Sequence, residues 1–136
     1  MLGKNAKLDL LRRAPLFASC SKGQLGQIAQ LGDELDLPSG TILIREGERG
    51  RQFIVVVDGT VTVTRNGRKV PIRGGSEFFG EMALLSDAPT NATVTASSGV
   101  RVLVINDRSF KKLLSDSPGI QLKILQALAE RITTLE

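Results

Sequence analysis

Two short stretches, Phe79-Gly80-Glu81-Met82-Ala83-Leu84-Leu85 and Pro89-Thr90-Asn91-Ala92-Thr93-Val94, bring a glycine, a carboxylate, a hydroxyl and a carboxamide close together. Thr90 and Asn91 can each donate a neutral hydrogen bond to a phosphate oxygen, and neither carries positive charge. Taken as residues alone, Gly80–Leu85 reads as a short amphipathic helix whose Leu84 and Leu85 enter a core. Thr90-Asn91 reads as a polar strand entry after Pro89. Catalysis is a poor fit, because the chain has no His and a single Cys, Cys20. That removes the usual general base, the nucleophile–His triad and most zinc sites at once, so the sequence is not expected to encode an enzyme or to need a cofactor.

With 136 residues, 41% apolar and 24% charged, the chain is long enough for one globular domain with its own core. A lone cysteine excludes an internal disulfide and fits a reducing cytoplasm. The net charge is +4, but the Lys and Arg residues are spread along the chain, with only Lys4, Lys7, Arg12 and Arg13 in a loose N-terminal group. That distribution argues against nucleic acid as a partner. No apolar run approaches the roughly 20 residues needed to span a bilayer, and no signal peptide opens the chain. Leu135-Glu136 is expected to be a cloning remnant.

The elements that must position the two stretches can be read from periodicity. Leu8, Leu11 and Leu16 mark an N-terminal helical segment that Pro15 interrupts. Ser21 with Gln24 forms a capping box ahead of Leu25, Ile28, Ala29 and Leu31 at helical spacing. From Leu35 the period falls toward 2 through Ile42–Ile44, Phe53–Val57 and Val61–Thr64. Asn66-Gly67 between Val61–Arg65 and Arg68–Ile72 predicts a two-residue hairpin, since a type I′ turn needs positive φ at both central positions. Further strands are expected at Ala92–Ala96 and Val100–Ile105. Asp107 is expected to cap a short helix through Phe110, Leu113 and Leu114. A last helix starts at Ser117-Pro118, with Ile120, Ile124, Leu125, Leu128 and Ile132 as its apolar face. Short strands punctuated by turn residues indicate a sandwich, jelly roll or barrel.

The order of these features resembles the cyclic-nucleotide-binding domains, the sensors of protein kinase A regulatory subunits and the catabolite activator protein. The likeness runs from roughly Leu11 to Ile132. It includes Pro15-Leu16-Phe17, the stretch Pro38 to Glu48, the Gly59-centred hairpin, and Gly74 with Glu77-Phe78-Phe79 leading into Gly80-Glu81. The resemblance implies a mainly β fold with flanking helices: a β-roll or jelly roll (double-stranded β-helix) with N-terminal helices and a C-terminal helix pair. One domain, 1–136, is expected, helical over 1–34, a β-roll over 35–106, and helical again over 107–134.

By the same resemblance, Gly80 lets backbone approach a phosphate, and Glu81 accepts the ribose hydroxyl. The N–H groups of Met82 and Ala83 face the phosphate at a helix start. Val63 and Val70 form the apolar floor under the base, and Arg131 faces the pocket from the last helix. That helix closes over the base and reports occupancy to a protein effector or a second copy. The implied ligand is cAMP, or cGMP. One departure weighs against tight binding: the family's phosphate-binding Arg is Thr90 here, and Asn91 replaces a small residue. Hydrogen bonds to charged groups contribute about 1.5–3 kcal/mol, so affinity is expected to fall by roughly 10- to 150-fold unless another cation, such as Arg73 or Arg131, compensates. The alternatives are a module that has lost cyclic nucleotide and serves in protein interaction or dimerisation, and a pocket retuned to an uncharged nucleoside. A DNA-reading role would need residues beyond Glu136.

Overall fold

The computed structural model describes residues 3–70, 78–80 and 84–135, with side chains through residue 130. The chain forms two compact units, Met1–Leu31 with Ser109–Glu136, and Gly32–Arg108.

The first unit is helical. Helix α1 (Lys4–Arg13) ends where Pro15 opens a 3₁₀ turn (Pro15–Phe17), and α2 spans Lys22–Ala29. The capping box is formed as the sequence predicts. The Gln24 N–H donates to Ser21 Oγ at 3.2 Å, and the Ser21 N–H donates to Gln24 Oε1 at 2.8 Å. Two orphan donors at the helix start are thereby satisfied, in a helix that Gly23 and Gly26 weaken intrinsically. Helix α3 runs Asp107–Asp116 and α4 runs Pro118–Leu135. Asp107 is the first helical residue rather than the cap; the Arg108 N–H donates instead to Asn106 Oδ1 at 2.8 Å. Leu11, Leu16, Phe17, Leu25, Ile28 and Phe110 are fully buried, and the Phe17 and Phe110 rings meet with centroids 5.7 Å apart. Among the described side chains of α4 the buried ones are Ile120, Ile124 and Ala127, a seam at i, i+4 and i+7. Leu125, expected on that seam, lies one residue off it and is 61% exposed.

Among its described residues the second unit carries eight strands in two four-stranded antiparallel sheets, ordered β1-β8-β3-β6 and β2-β7-β4-β5. Their ranges are β1 Asp33–Leu37, β2 Ile42–Ile44, β3 Gln52–Asp58, β4 Val61–Arg65, β5 Arg68–Lys69, β6 Phe78–Phe79, β7 Thr93–Ala96 and β8 Val100–Asn106. This is the β-roll with flanking helices that the resemblance implies. The strand block opens at Asp33, two residues before the apolar alternation shows it, because β1 is an edge strand zipped along β8 from Asp33↔Val104 to Leu37↔Val100. In β3 the consecutive residues Phe53, Ile54 and Val55 are all buried, so that central strand is covered on both faces. Ile54, Ala96, Val100 and Val102 form a core that Ile44, Val56 and Val61 complete.

Candidate functional site

The inner face of the second sheet follows from its pairing. Strands β4 and β7 are in register as Val61↔Ala96 and Val63↔Val94, and Ile44 on β2 pairs with Val94. Directly opposed residues share a face, and alternate residues along a strand return to it. Val61, Val63, Val94, Ala96 and Ile44 therefore lie together on the face where Val94 and Ala96 are 2% exposed.

The hairpin after β4 carries that face onward. Asn66 and Gly67 have φ of 53° and 77°, the left-handed pair that a type I′ turn requires. The register across the turn is Thr64↔Lys69 and Arg65↔Arg68, and the Val70 N–H donates to the Val63 carbonyl at 2.8 Å. Val63 and Val70 are thus direct neighbours, both half-buried. Arg65, two residues beyond Val63, sits on the same face, and its Nε donates to the Asn91 carbonyl at 2.9 Å.

Thr90 is fastened on the other side. Its N–H donates to the Glu48 carbonyl at 2.9 Å, and its own carbonyl accepts from the Gly47 N–H at 2.8 Å. The single Thr90 hydroxyl hydrogen is directed at two turn carbonyls, those of Arg45 at 2.5 Å and Glu48 at 3.0 Å. Arg49 Nη2 adds a bond to Asp87 Oδ1 at 2.7 Å, and that carboxylate holds the Arg49 proton more tightly than usual. The β2–β3 turn thereby clamps the segment 87–90. Glu46 ties the same turn to the hairpin, since its N–H donates to Thr93 Oγ1 and its Oε1 accepts from the Asn66 N–H, each at 2.9 Å. The sequence suggests only a solvated surface for this charged turn; its charges brace the site.

Gly80 follows β6, which pairs with β3 through Ile54↔Phe79 and Val55↔Phe78. The rings of Phe53 and Phe78 stack 6.2 Å apart. Gly80 has φ of 76°, and a β-carbon there would overlap the Gln52 carbonyl oxygen and lie 3.5 Å from Ile44 Cδ1. The glycine is required by protein backbone already in place. Leu84 is fully buried and Leu85 half-buried, much as an amphipathic segment demands.

The expected site residues fall into two groups. Val63, Val70, Thr90, Asn91 and Gly80 belong to the strand unit, where Val94 and Ile44 stand between Val63 and Gly80. Glu81, Met82, Ala83 and Arg73 lie outside the described residues, and the Arg131 side chain does too, although its backbone belongs to α4. Arg65 is the residue that reading from sequence misses. Its signal was the alternation Val61-Thr62-Val63-Thr64-Arg65, which puts a guanidinium on the valine face.

Beside Thr90 is a cleft of about 320 Å³ whose lining includes Ile44, Arg45, Glu48, Arg49 and Arg51. Two of its three guanidiniums are matched within the clamp, Arg45 by Glu48 at 3.5 Å and Arg49 by Asp87. Among the described residues no group of His, Cys, Asp and Glu is arranged to hold a metal ion, and no helix is long and apolar enough to cross a membrane.

Residues 34–117 match the family described as the cyclic nucleotide-binding domain, and the chain belongs to that family. It is 36% identical over 123 residues to a cyclic nucleotide-gated potassium channel of Rhizobium etli, an alignment covering 90% of this chain and 34% of the channel. It is 32% identical over 110 residues to the cAMP-dependent protein kinase regulatory subunit of Schizosaccharomyces pombe, covering 80% of this chain and 27% of that subunit. The chain therefore spans about a third or less of these relatives. Among solved structures it is similar to the N-terminal domain of a transcriptional regulator from Streptomyces coelicolor A3(2). That match has a TM-score of 0.83 and 32% identity, and covers 94% of this chain and 95% of the other. These relatives are thus a channel, a kinase regulatory subunit and a transcriptional regulator.

Proposed function

We propose that this chain is a cytoplasmic regulatory module, not an enzyme, that binds a cyclic nucleotide, with cAMP the first ligand to test and cGMP the second. The phosphate would lie at the start of the segment 80–85, near the N–H groups of Met82 and Ala83, with the ribose hydroxyl on Glu81 and the base against Val63 and Val70. The observation that carries this reading is the family match across 34–117, which spans the strand block from end to end. The half-buried Val63–Val70 pair supports it, since an apolar patch open on one side suits a stacked base. Thr90 contributes no charge, so affinity depends on a cation elsewhere. Isothermal titration calorimetry with cAMP and cGMP tests the proposal; no heat and no thermal shift at millimolar ligand would overturn it.

One observation favours a second reading, in which the module works through protein contact or self-association. Leu122 and Leu125, at i and i+3 on α4, are 55% and 61% exposed. An apolar pair on a helix surface suits a second copy or an effector. Sedimentation of the chain and of Leu122→Ser/Leu125→Ser distinguishes this reading from the first, because ligand titration does not require association. Binding of adenosine equal to that of cAMP would point instead to a pocket for an uncharged nucleoside.

A further inference from the structure

We propose that Arg65 supplies the positive charge for the phosphate of the bound cyclic nucleotide, in place of the residue at position 90; this rests on the cyclic-nucleotide reading above. Arg65 ends β4 on the valine-bearing face, two residues from Val63. Its side chain is exposed at the strand end, so the guanidinium is open to an anion arriving from solution. Its Nε has only the neutral Asn91 carbonyl, at 2.9 Å, and among the described residues no carboxylate forms an ion pair with it.

The geometry around it points the same way. The Nε bond fixes the guanidinium beside the segment Thr90-Asn91 and leaves its terminal N–H groups for a forked contact with an anion. Arg68 stands directly opposite in register, so two exposed cations share one face beside the segment Thr90-Asn91. The carboxylate of the hairpin brace, Glu46, accepts from the Asn66 N–H. Thr90, whose hydroxyl hydrogen is directed at the Arg45 and Glu48 carbonyls, holds the clamp. The cation has moved from the strand entry at position 90 to the end of the neighbouring strand.

The test is calorimetric titration of the whole chain with cAMP and, separately, adenosine, for the wild type and for Arg65→Ala, Arg65→Gln and Arg65→Lys. Arg65→Gln keeps a side-chain N–H for the Asn91 carbonyl, and the ligand-free melting temperature of each variant controls for folding. We expect Arg65→Ala and Arg65→Gln to weaken cAMP by roughly 10- to 150-fold, Arg65→Lys to retain most of the affinity, and adenosine to be unaffected. Wild-type cAMP affinity in Arg65→Gln, or an equal loss for cAMP and adenosine, would overturn the role of Arg65 while leaving the cyclic-nucleotide reading intact. Failure of the wild type itself to bind cAMP or cGMP would remove both.

Discussion

Gly80 and Gln52 are packed so closely that the Gln52 carbonyl oxygen occupies the space where a β-carbon of residue 80 would stand. This contact joins the end of β6 to the start of β3, directly ahead of the segment proposed to receive the phosphate. Gly80→Ala must accept a left-handed φ of 76° and also displace main chain that is held in the β3–β8 ladder. The φ penalty alone is about 1–2 kcal/mol, and the overlap adds to it. We expect a loss of at least about 2 kcal/mol in urea unfolding, read as a lower midpoint at unchanged slope. A midpoint equal to wild type would show that residue 80 can move freely away from Gln52.

The hairpin gives an independent test of how the site is held. Asn66 and Gly67 both need positive φ, and Asn66 also donates its N–H to Glu46. Gly67→Val puts a β-branched residue where the left-handed conformation is least tolerated. Shifting that turn moves Arg65 and the Val63–Val70 pair together. The variant should lose cAMP affinity by more than ten-fold and lose adenosine affinity as well, unlike the charge-specific loss expected at Arg65. Titration with both ligands separates the two cases.

An ion pair at the sheet edge makes a pH prediction. Arg101 Nε donates to Asp36 Oδ1 at 2.9 Å, and this bond holds the Asp36 carboxyl below its ordinary range. A carboxylate with a depressed folded value stabilises the fold above its unfolded pKa, and that contribution is lost as pH falls through the depressed value. Both side chains are largely exposed, so the effect is small. Asp36→Asn should lower stability slightly near neutrality, shallow the acid limb of the stability–pH curve, and leave stability unchanged at the acid end, where the contribution is already lost. An equal shift at pH 7 and pH 3 would mean that packing, not charge, holds Asp36.

Cys20 makes the converse case. The thiol is buried, which pushes its ionisation up, and the charge of Lys123 offsets only part of this. A raised folded value favours the fold below the ordinary thiol range, and that contribution is lost as pH rises through it. Iodoacetamide at pH 8 should therefore label the native chain far more slowly than the urea-unfolded chain. Equal rates would contradict the burial.

Much of this architecture is legible from local chemistry. The Ser21-Gln24 box, the Asn66-Gly67 turn and the start of α4 at Pro118 each depend on residues adjacent in sequence, and each is formed. What sequence does not reveal is decided by pairing across the fold. Leu125 fits an apolar helical face as well as Ala127 does, and only packing selects Ala127. The β2–β3 turn looks like solvated charge because its partners, Asp87, Thr90 and Asn66, are far away along the chain. Arg65 is readable by simple alternation as sharing the valine face, but its value as a cation emerges only when Asn91 is seen beside it.

Thr90→Arg measures how the two candidate cation positions share one task. The substitution removes a hydroxyl that braces the β2–β3 turn, so ligand-free stability should fall by about 1 kcal/mol. It also returns a guanidinium to the strand entry, which in an intact pocket should raise cAMP affinity by ten-fold or more. If Arg65 already meets the phosphate, the two charges are not independent, and a double-mutant cycle exposes the coupling. The gain from Thr90→Arg should then be larger in Arg65→Ala than in the wild type, because in the first case it replaces the only matched charge and in the second it adds to one. Calorimetry on the four proteins supplies the cycle. Equal gains in both backgrounds would mean that the two positions act on separate parts of the ligand, and no gain in either would mean that the mouth of the roll does not admit an anion at all.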